Sequence, residues 1–163
     1  MIKEPISSIG SPAQARSGFS KVQGTCALAA KDDFDWVWIE NCCIDKSSSA
    51  ELQEAISSMF RWYQDAQICY ACLSDVPDGE TGNDTAFEQS LWFTRGWTLQ
   101  ELLVPCSVEF YVADWTPIGS KASRAKQIAI ITWIDRSALE SNWTDTKTPM
   151  LLQRKWHGLR IAS

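Results

Sequence analysis

The sequence predicts an α/β domain in which helices flank a mainly parallel sheet. Segments whose apolar residues recur at helical spacing alternate along the chain with short apolar runs typical of buried strands. In an open parallel sheet, binding sites lie outside the carboxyl ends of the strands. The loops expected at those ends are residues 40–47, 74–90 and 113–119.

The N-terminal part of the chain contains one predicted helix and one predicted strand. Residues 1–17 are expected to be a loose leader, because prolines, a glycine and serines interrupt any regular pattern. Apolar residues at three- and four-residue spacing predict a helix over residues 19–31. Residues 36–39 form a nearly continuous apolar run, which predicts a strand buried on both faces.

The clearest helix in the sequence follows Ser48. Ser48 and Glu51 have the spacing of a capping box, and an apolar stripe continues from there to Ala66. A strand is predicted at residues 68–73. The proline, glycine and aspartate residues of 74–84 predict a loop after it.

The C-terminal half repeats the alternation once more. Residues 108–112 are predicted to be a strand, 114–117 a turn and 123–134 a helix. Beyond Asp135 the pattern decays without a clear element, so residues 136–163 are expected to be an irregular tail.

Composition limits the classes of function. The 163 residues carry a net charge of −5 and no basic run, which argues against a nucleic-acid or anionic-membrane surface. The chain starts with no apolar signal segment, so the six cysteines are expected to be reduced thiols in the cytosol or the nucleus, and a cytoplasmic location is the prediction. His157 is the single histidine, and no metal site is predicted.

Residues 91–103 are central to the functional interpretation, because they combine two tryptophans, an arginine and a glutamate. If a helix begins near Gly96, Trp97 and Glu101 lie four residues apart and share one face. Three leucines would form the apolar face of this helix: Leu99, Leu102 and Leu103. Two interpretations remain open, a core helix with a surface salt bridge or a carboxylate held beside an aromatic wall.

Three motifs occur in order along the chain. They are Trp-Val-Trp-Ile-Glu-Asn-Cys-Cys-Ile-Asp-Lys at residues 36–46, the helical segment 51–63, and Trp-Phe-Thr-Arg-Gly-Trp-Thr-Leu-Gln-Glu-Leu at residues 92–102. In order and spacing they resemble the fungal heterokaryon-incompatibility (HET) domain. The resemblance covers roughly residues 18–135.

The chain departs from the HET pattern in two places. Glu40 and Asn41 stand where the family has Asp-Thr, and residues 1–18 lack the family's opening Tyr-x-x-Leu-Ser-x-x-Trp-Gly. The resemblance therefore implies a HET-type domain at residues 18–135 that lacks its first strand. Residues 136–163 would be the truncated continuation of a domain trimmed at both ends.

The HET pattern is similar in turn to TIR domains, whose sheet is flavodoxin-like. Residues 97–102, Trp-Thr-Leu-Gln-Glu-Leu, match the TIR pattern Trp-Cys-Leu-x-Glu-Leu at four positions. In TIR enzymes that glutamate acts in cleaving the nicotinamide–ribose bond of NAD, so the resemblance implies a catalytic role for Glu101 with Trp97 beside it. A carboxylate suits this chemistry because loss of nicotinamide leaves an oxocarbenium-like ribose.

Three further residues are predicted to contact the nucleotide, and each has a structural alternative. Arg95 would grip a pyrophosphate or pair with a carboxylate of the protein. Asp45 would belong to the site or cap the helix after Ser48. Trp92 would stack on the ligand or lie in the core.

The resemblance implies a protein of fungal non-self recognition and programmed cell death. One molecular hypothesis is an NAD glycohydrolase centred on Glu101, with NAD as substrate and no other cofactor. The alternative is a non-enzymatic module that associates with itself or with other cell-death signalling proteins, or an inactive fragment. Neither hypothesis involves nucleic acid or a membrane.

Overall fold

The computed structural model describes residues 4–5, 19–39, 44, 47–77 and 84–140. The chain divides into two compact units, Met1–Ser58 and Met59–Ser163. No helix within the described ranges is long and apolar enough to cross a membrane.

The first unit contains a two-stranded antiparallel sheet and a helix. Strand β1 (Glu4–Pro5) pairs with β2 (Trp36–Val37), and helix α1 (Phe19–Lys31) lies between them in the chain. The predicted helix over residues 19–31 is confirmed. Its buried side chains are Val22, Cys26 and Ala29.

The prediction of a strand buried on both faces at residues 36–39 is wrong. Only Trp36 and Val37 are in strand conformation, and the Trp36 side chain is 50% exposed. The first strand was expected to be missing, but a two-residue strand, β1, precedes α1 inside the predicted leader; it pairs antiparallel in a separate small sheet. A strand with a single short neighbour leaves one face open to solvent, which an apolar run in the sequence does not reveal.

Helix α2 (Ser49–Asp65) begins as its capping signal predicts. The Ser48 hydroxyl accepts a hydrogen bond from the Glu51 backbone N–H at 3.3 Å, and this satisfies one of the free donors of the first turn. Ala55 and Met59, one turn apart, are both buried. The sequence therefore determines this helix locally.

The second unit is built on a three-stranded sheet with the order β3-β4-β5. Its strands are β3 (Cys69–Leu73), β4 (Val108–Val112) and β5 (Pro117–Ser120). Strands β3 and β4 are parallel, with Cys69 opposite Val108, whereas β5 is antiparallel to β4. The predicted strands at 68–73 and 108–112 are confirmed.

The prediction of a mainly parallel sheet is wrong, because only the β3–β4 pairing is parallel among the described strands. The cause is the tight reversal after β4. The Asp114 carboxylate accepts the Thr116 backbone N–H at 2.8 Å, and Trp115 adopts φ +68°. The predicted turn at residues 114–117 is therefore real, but it leads directly into a strand that returns along β4.

Five short helices surround this sheet. They are α3 (Asp84–Glu88), a 3₁₀ helix (Leu91–Thr94), α4 (Thr98–Leu103), α5 (Ala125–Thr132) and α6 (Arg136–Glu140). Helix α5 falls within the predicted range 123–134. Its last residue is Thr132, and Trp133, at the C-cap position, adopts the left-handed conformation.

Two of these helices were not predicted. Helix α3 lies in an expected loop, and α6 lies where the sequence predicted no clear element. The start of α6 is stabilised by Asp135, whose carboxylate accepts the Ser137 backbone N–H at 2.8 Å, and Leu139 is buried beneath it. An aspartate before a short apolar segment is a capping signal, and it identifies this helix in retrospect.

The core of the second unit lies around β4. Phe110, at the centre of that strand, is fully buried and makes edge-to-face contacts with Phe87 and Trp92 at ring-centroid distances of 5.3 and 5.5 Å. The crossover between β3 and β4 thus carries Trp92 into the core. This places the segment 91–103 against the sheet.

Candidate functional site

The segment predicted to hold the site consists of two short helices rather than one. The 3₁₀ helix ends at Thr94, and α4 begins at Thr98, with Trp97 at its N-cap position. The Glu101 backbone N–H donates to the Trp97 carbonyl at 3.3 Å, so these two residues lie one helical turn apart, as their spacing predicts. A helix starting close to Gly96 is therefore confirmed.

The apolar face of α4 is turned toward the core. Leu102 and Leu103 are buried and Leu99 is partly buried against the same core. Trp97 is 41% exposed, while Glu101 is intermediate in exposure. Helix α4 therefore keeps an indole and a carboxylate within reach of solvent while its leucines hold it in place.

The start of the segment is fixed by a carboxylate outside it. Asp75 accepts hydrogen bonds from the Ser90 hydroxyl at 2.8 Å and from the Leu91 backbone N–H at 2.6 Å. Partial desolvation raises the pKa of Asp75, but the hydrogen bonds from Leu91 and Ser90 outweigh this effect and hold the pKa below its ordinary value of 3.8. The Asp75 charge therefore stabilises the entry into the 3₁₀ helix.

We expect Asp75→Asn to lower the free energy of unfolding by about 1 kcal/mol at neutral pH, because an amide oxygen is a weaker acceptor than a carboxylate. A lowered pKa in the folded state stabilises the protein above pH 3.8, and this stabilisation is lost as the pH falls through the folded-state pKa. Urea unfolding of both proteins at neutral and at strongly acidic pH measures the difference. A difference of undiminished size in acid would contradict this role.

Trp92 lies in the core rather than at a surface. It is 5% exposed, and its ring makes edge-to-face contacts with Phe93 and Phe110 at 5.1 and 5.5 Å. An indole packed in this way has little ring surface left for a ligand. Trp92 therefore lies in the core, which was the structural alternative, and its contact with a nucleotide remains a prediction.

Arg95 has an exposed side chain and an extended backbone between the two helices. Its carbonyl accepts hydrogen bonds from the Thr98 backbone N–H at 3.2 Å and from the Thr98 hydroxyl, so its main chain supports the start of α4. Across the described stretches no carboxylate forms an ion pair with its guanidinium. The interpretation of Arg95 as a structural ion-pair partner therefore stays a prediction.

Asp45 lies outside the described residues. The same holds for Glu40, Asn41 and the cysteine pair that follows them. The proposed role of Asp45 in binding stays a prediction.

Glu101 lies near the amino end of β3, whereas binding sites were expected outside the carboxyl ends of the strands. The thiol of Cys69, the first residue of β3, reports its position: desolvation raises the pKa of Cys69 to about 12, and the negative charge of Glu101 contributes to the rise. The positive charge of Lys121 acts in the opposite direction. The charges of Glu101 and Lys121 thus both act on the thiol at the amino end of β3.

Lys121 was missed by the sequence analysis. It follows β5, is only 5% exposed, and its ammonium donates to the Pro105 carbonyl at 2.6 Å. The sequence offers no signal for its burial, because the strand that positions it was predicted to be part of a turn.

The two cysteines with redox-motif spacing form no redox site. Cys69 and Cys72 lie within β3 and form no disulfide with a described residue, and the Cys72 thiol donates to the Val112 carbonyl at 3.8 Å. Such a motif acts through a thiolate stabilised at a helix start, whereas the environment of Cys69 disfavours the thiolate. Among the residues that the structure describes, no group of three or more histidine, cysteine, aspartate or glutamate side chains could hold a metal ion.

A cavity of about 290 Å³ opens at the amino end of β4 and the carboxyl end of β5. Cys106, Glu109, Lys121 and Glu140 are among its lining residues, and Glu101 is not. The cavity and Glu101 are therefore separate features of this end of the sheet.

Comparison with known proteins gives a consistent result. The model of the family described as "Heterokaryon incompatibility protein (HET)" matches residues 13–85. The chain is 44% identical over 136 residues to vegetative incompatibility protein HET-E-1 of Podospora anserina, an alignment that covers 80% of this chain and 10% of that protein. The chain thus spans about a tenth of the length of this relative, and no solved structure matches it.

The extent of the two matches differs at the candidate site. The family model ends before the segment 91–103. A continuous alignment that covers 80% of 163 residues necessarily includes that segment, wherever it begins. The similarity to the Podospora protein therefore extends through Trp97 and Glu101.

Proposed function

This chain belongs to the heterokaryon-incompatibility (HET) family, and we propose that it acts in fungal non-self recognition and the programmed cell death that follows it. The 44% identity to an incompatibility protein over most of the chain is the observation that carries this proposal. The proposed location is the cytosol, where the four described cysteines, none of them in a disulfide, would remain thiols.

The proposed chemistry is cleavage of the nicotinamide–ribose bond of NAD, with Glu101 as the catalytic carboxylate. Three features support it. The Trp97 indole lies one helical turn before Glu101 and is 41% exposed, Arg95 is exposed and unpaired among the described residues, and Glu101 is only partly exposed. A partly desolvated carboxylate interacts more strongly with a developing positive charge than a fully hydrated one does.

In this proposal each group has a defined task. Glu101 would stabilise the oxocarbenium-like ribose as nicotinamide departs, Trp97 would cover one face of the reacting group and exclude water, and Arg95 would bind the pyrophosphate. The parallel β3–β4 pair, joined by a helical crossover that carries Glu101, supports a TIR-like, flavodoxin-like relationship. Nicotinamide release from NAD by the full chain, with Glu101→Gln as the comparison, tests the proposal.

A second candidate function is self-association, and one observation favours it. The side chains of Ile130 and Trp133, three residues apart at the end of α5, are 65% and 91% exposed. Trp133 also adopts φ +58°, a conformation that a bulky side chain occupies at a cost. An exposed indole in a strained conformation is consistent with a contact surface for a second copy of the chain.

We expect Trp133→Asn to weaken assembly without unfolding the protein, because asparagine tolerates the left-handed conformation better than tryptophan does. Sedimentation velocity over a range of protein concentrations measures the effect. Leu91→Ser is the matched control, since Leu91 is 65% exposed on a different element. Assembly that is insensitive to Trp133→Asn, or a protein that stays monomeric at all concentrations, would exclude this surface.

A further inference from the structure

Lys121 is a buried amine held in a defined position. Its backbone N–H donates to the Val108 carbonyl at 2.8 Å, which ties the residue to the first position of β4. Its side-chain nitrogen donates to the Pro105 carbonyl at 2.6 Å, and the residue is 5% exposed. Both bonds lie at the same end of the sheet, so the nitrogen is fixed relative to β4.

The ammonium of Lys121 is bonded to a backbone carbonyl rather than to a carboxylate of the described residues. Within the described stretches no aspartate or glutamate forms an ion pair with its ammonium. Desolvation lowers the pKa of Lys121, while the nearby thiols of Cys106 and Cys69 act in the opposite direction. Burial of an uncompensated ammonium costs several kcal/mol, so part of that cost is avoided when the amine is neutral.

The hydrogen bond to Pro105 is compatible with a neutral amine. A neutral amine still has two N–H donors, so it can keep the bond to the Pro105 carbonyl after losing its proton. Its lone pair is then directed away from that bond. A desolvated lysine of this kind is the nucleophile that protein active sites use to form Schiff bases.

Lys121 also lines the cavity of about 290 Å³. This volume suits a small molecule, and it lies at the lower end of the range for ligand pockets. The other titratable side chains of its lining are Cys106, Glu109 and Glu140. The Glu140 carboxylate is paired with Arg136 at 2.6 Å, and the Glu109 carboxylate in the wall disfavours an anionic ligand. An electrophile that reacts with an amine and carries no negative charge matches this lining.

We propose that Lys121 is a covalent binding site for a small uncharged aldehyde, which it holds in this cavity as an imine. The amine nitrogen adds to the carbonyl carbon, a proton passes from nitrogen to oxygen, and the resulting carbinolamine loses water to leave a C=N bond. The carboxyl group of Glu109, which lines the cavity, would give a proton to the departing water and take back the N–H proton of the resulting iminium, so that the neutral imine and the original carboxyl group remain. No oxidant or cofactor is required, and the proposal does not depend on NAD cleavage.

The test is competitive labelling of the full chain with benzaldehyde and sodium cyanoborohydride at neutral pH, followed by peptide mass mapping. Cyanoborohydride reduces an imine to a stable secondary amine, so each labelled lysine is recorded. Lys126, exposed on α5, is the matched internal control. We expect Lys121 to be labelled several-fold faster than Lys126, and labelling equal to or slower than that of Lys126 would overturn the proposal.

A second variant tests the role of the cavity without altering the amine. Ala122 lines the cavity and is exposed, so Ala122→Leu narrows the cavity with little risk to folding. Labelling of Lys121 should fall while that of Lys126 is unchanged. Undiminished labelling of Lys121 in this variant would show that the aldehyde does not bind in the cavity.

Discussion

Glu101→Gln is expected to abolish the release of nicotinamide from NAD. If the carboxylate stabilises an oxocarbenium-like ribose, its replacement by a neutral amide removes the charge while keeping the shape of the side chain. Loss of a single group of this kind lowers kcat by about a hundred- to a thousandfold. A time course of free nicotinamide, measured by chromatography with the full chain, follows the reaction.

The matched control for this experiment is Glu88→Gln. Glu88 is an exposed glutamate on α3 in the same crossover between β3 and β4, so the variant makes the same chemical change away from Trp97 and Arg95. Turnover should be unaffected, and near-ultraviolet circular dichroism should show the same tertiary packing in all three proteins. Equal turnover by Glu101→Gln and wild type, or no nicotinamide release by wild type, would rule out NAD cleavage at this residue.

The elements that could be predicted from the sequence are those fixed by local contacts. Helix α1 and the capped start of α2 were predicted because apolar spacing and the Ser48 hydroxyl act within a few residues. The return of β5 could not be predicted in this way. It depends on Trp115, which adopts φ +68°. A glycine or asparagine at this position would have indicated a left-handed turn in the sequence, whereas a tryptophan does not.

The candidate site was predictable in its local geometry and not in its location. The four-residue spacing of Trp97 and Glu101 correctly predicted that they lie one helical turn apart. Binding sites were expected at the carboxyl ends of the strands, whereas Glu101 lies near their amino ends. Helix α4 is the last element of the crossover, and the chain reaches the start of β4 a few residues after it. A residue in that position lies near the amino ends of the parallel strands, where Lys121 arrives from a strand that the sequence did not predict.

Phe110→Ala is expected to destabilise the second unit by about 3–5 kcal/mol, which is a large part of the total stability of a small domain. Phe110 is fully buried in the central strand, and it contacts Phe87 and Trp92 edge to face. Removing the ring leaves a cavity between the sheet and the crossover and also removes three aromatic contacts, the third being with Phe93 at 6.1 Å. The midpoint of thermal unfolding should fall by roughly 15–30 °C.

Phe93→Ala is the matched control, because Phe93 belongs to the same aromatic cluster but is less buried. It tests whether the loss of stability depends on the position of the ring within the cluster. Phe93 contacts Phe87 and Trp92 at ring-centroid distances of 5.1 Å but is only partly buried. Its truncation removes less apolar surface from the core and leaves a site that water can fill, so the loss should be about 1–2 kcal/mol. Phe110 is the more deeply buried of the two rings and contacts Trp92 from the central strand, so Phe110→Ala should also disturb the packing of the segment that carries Glu101. Equal losses for the two variants in urea unfolding would mean that the core is not organised around β4.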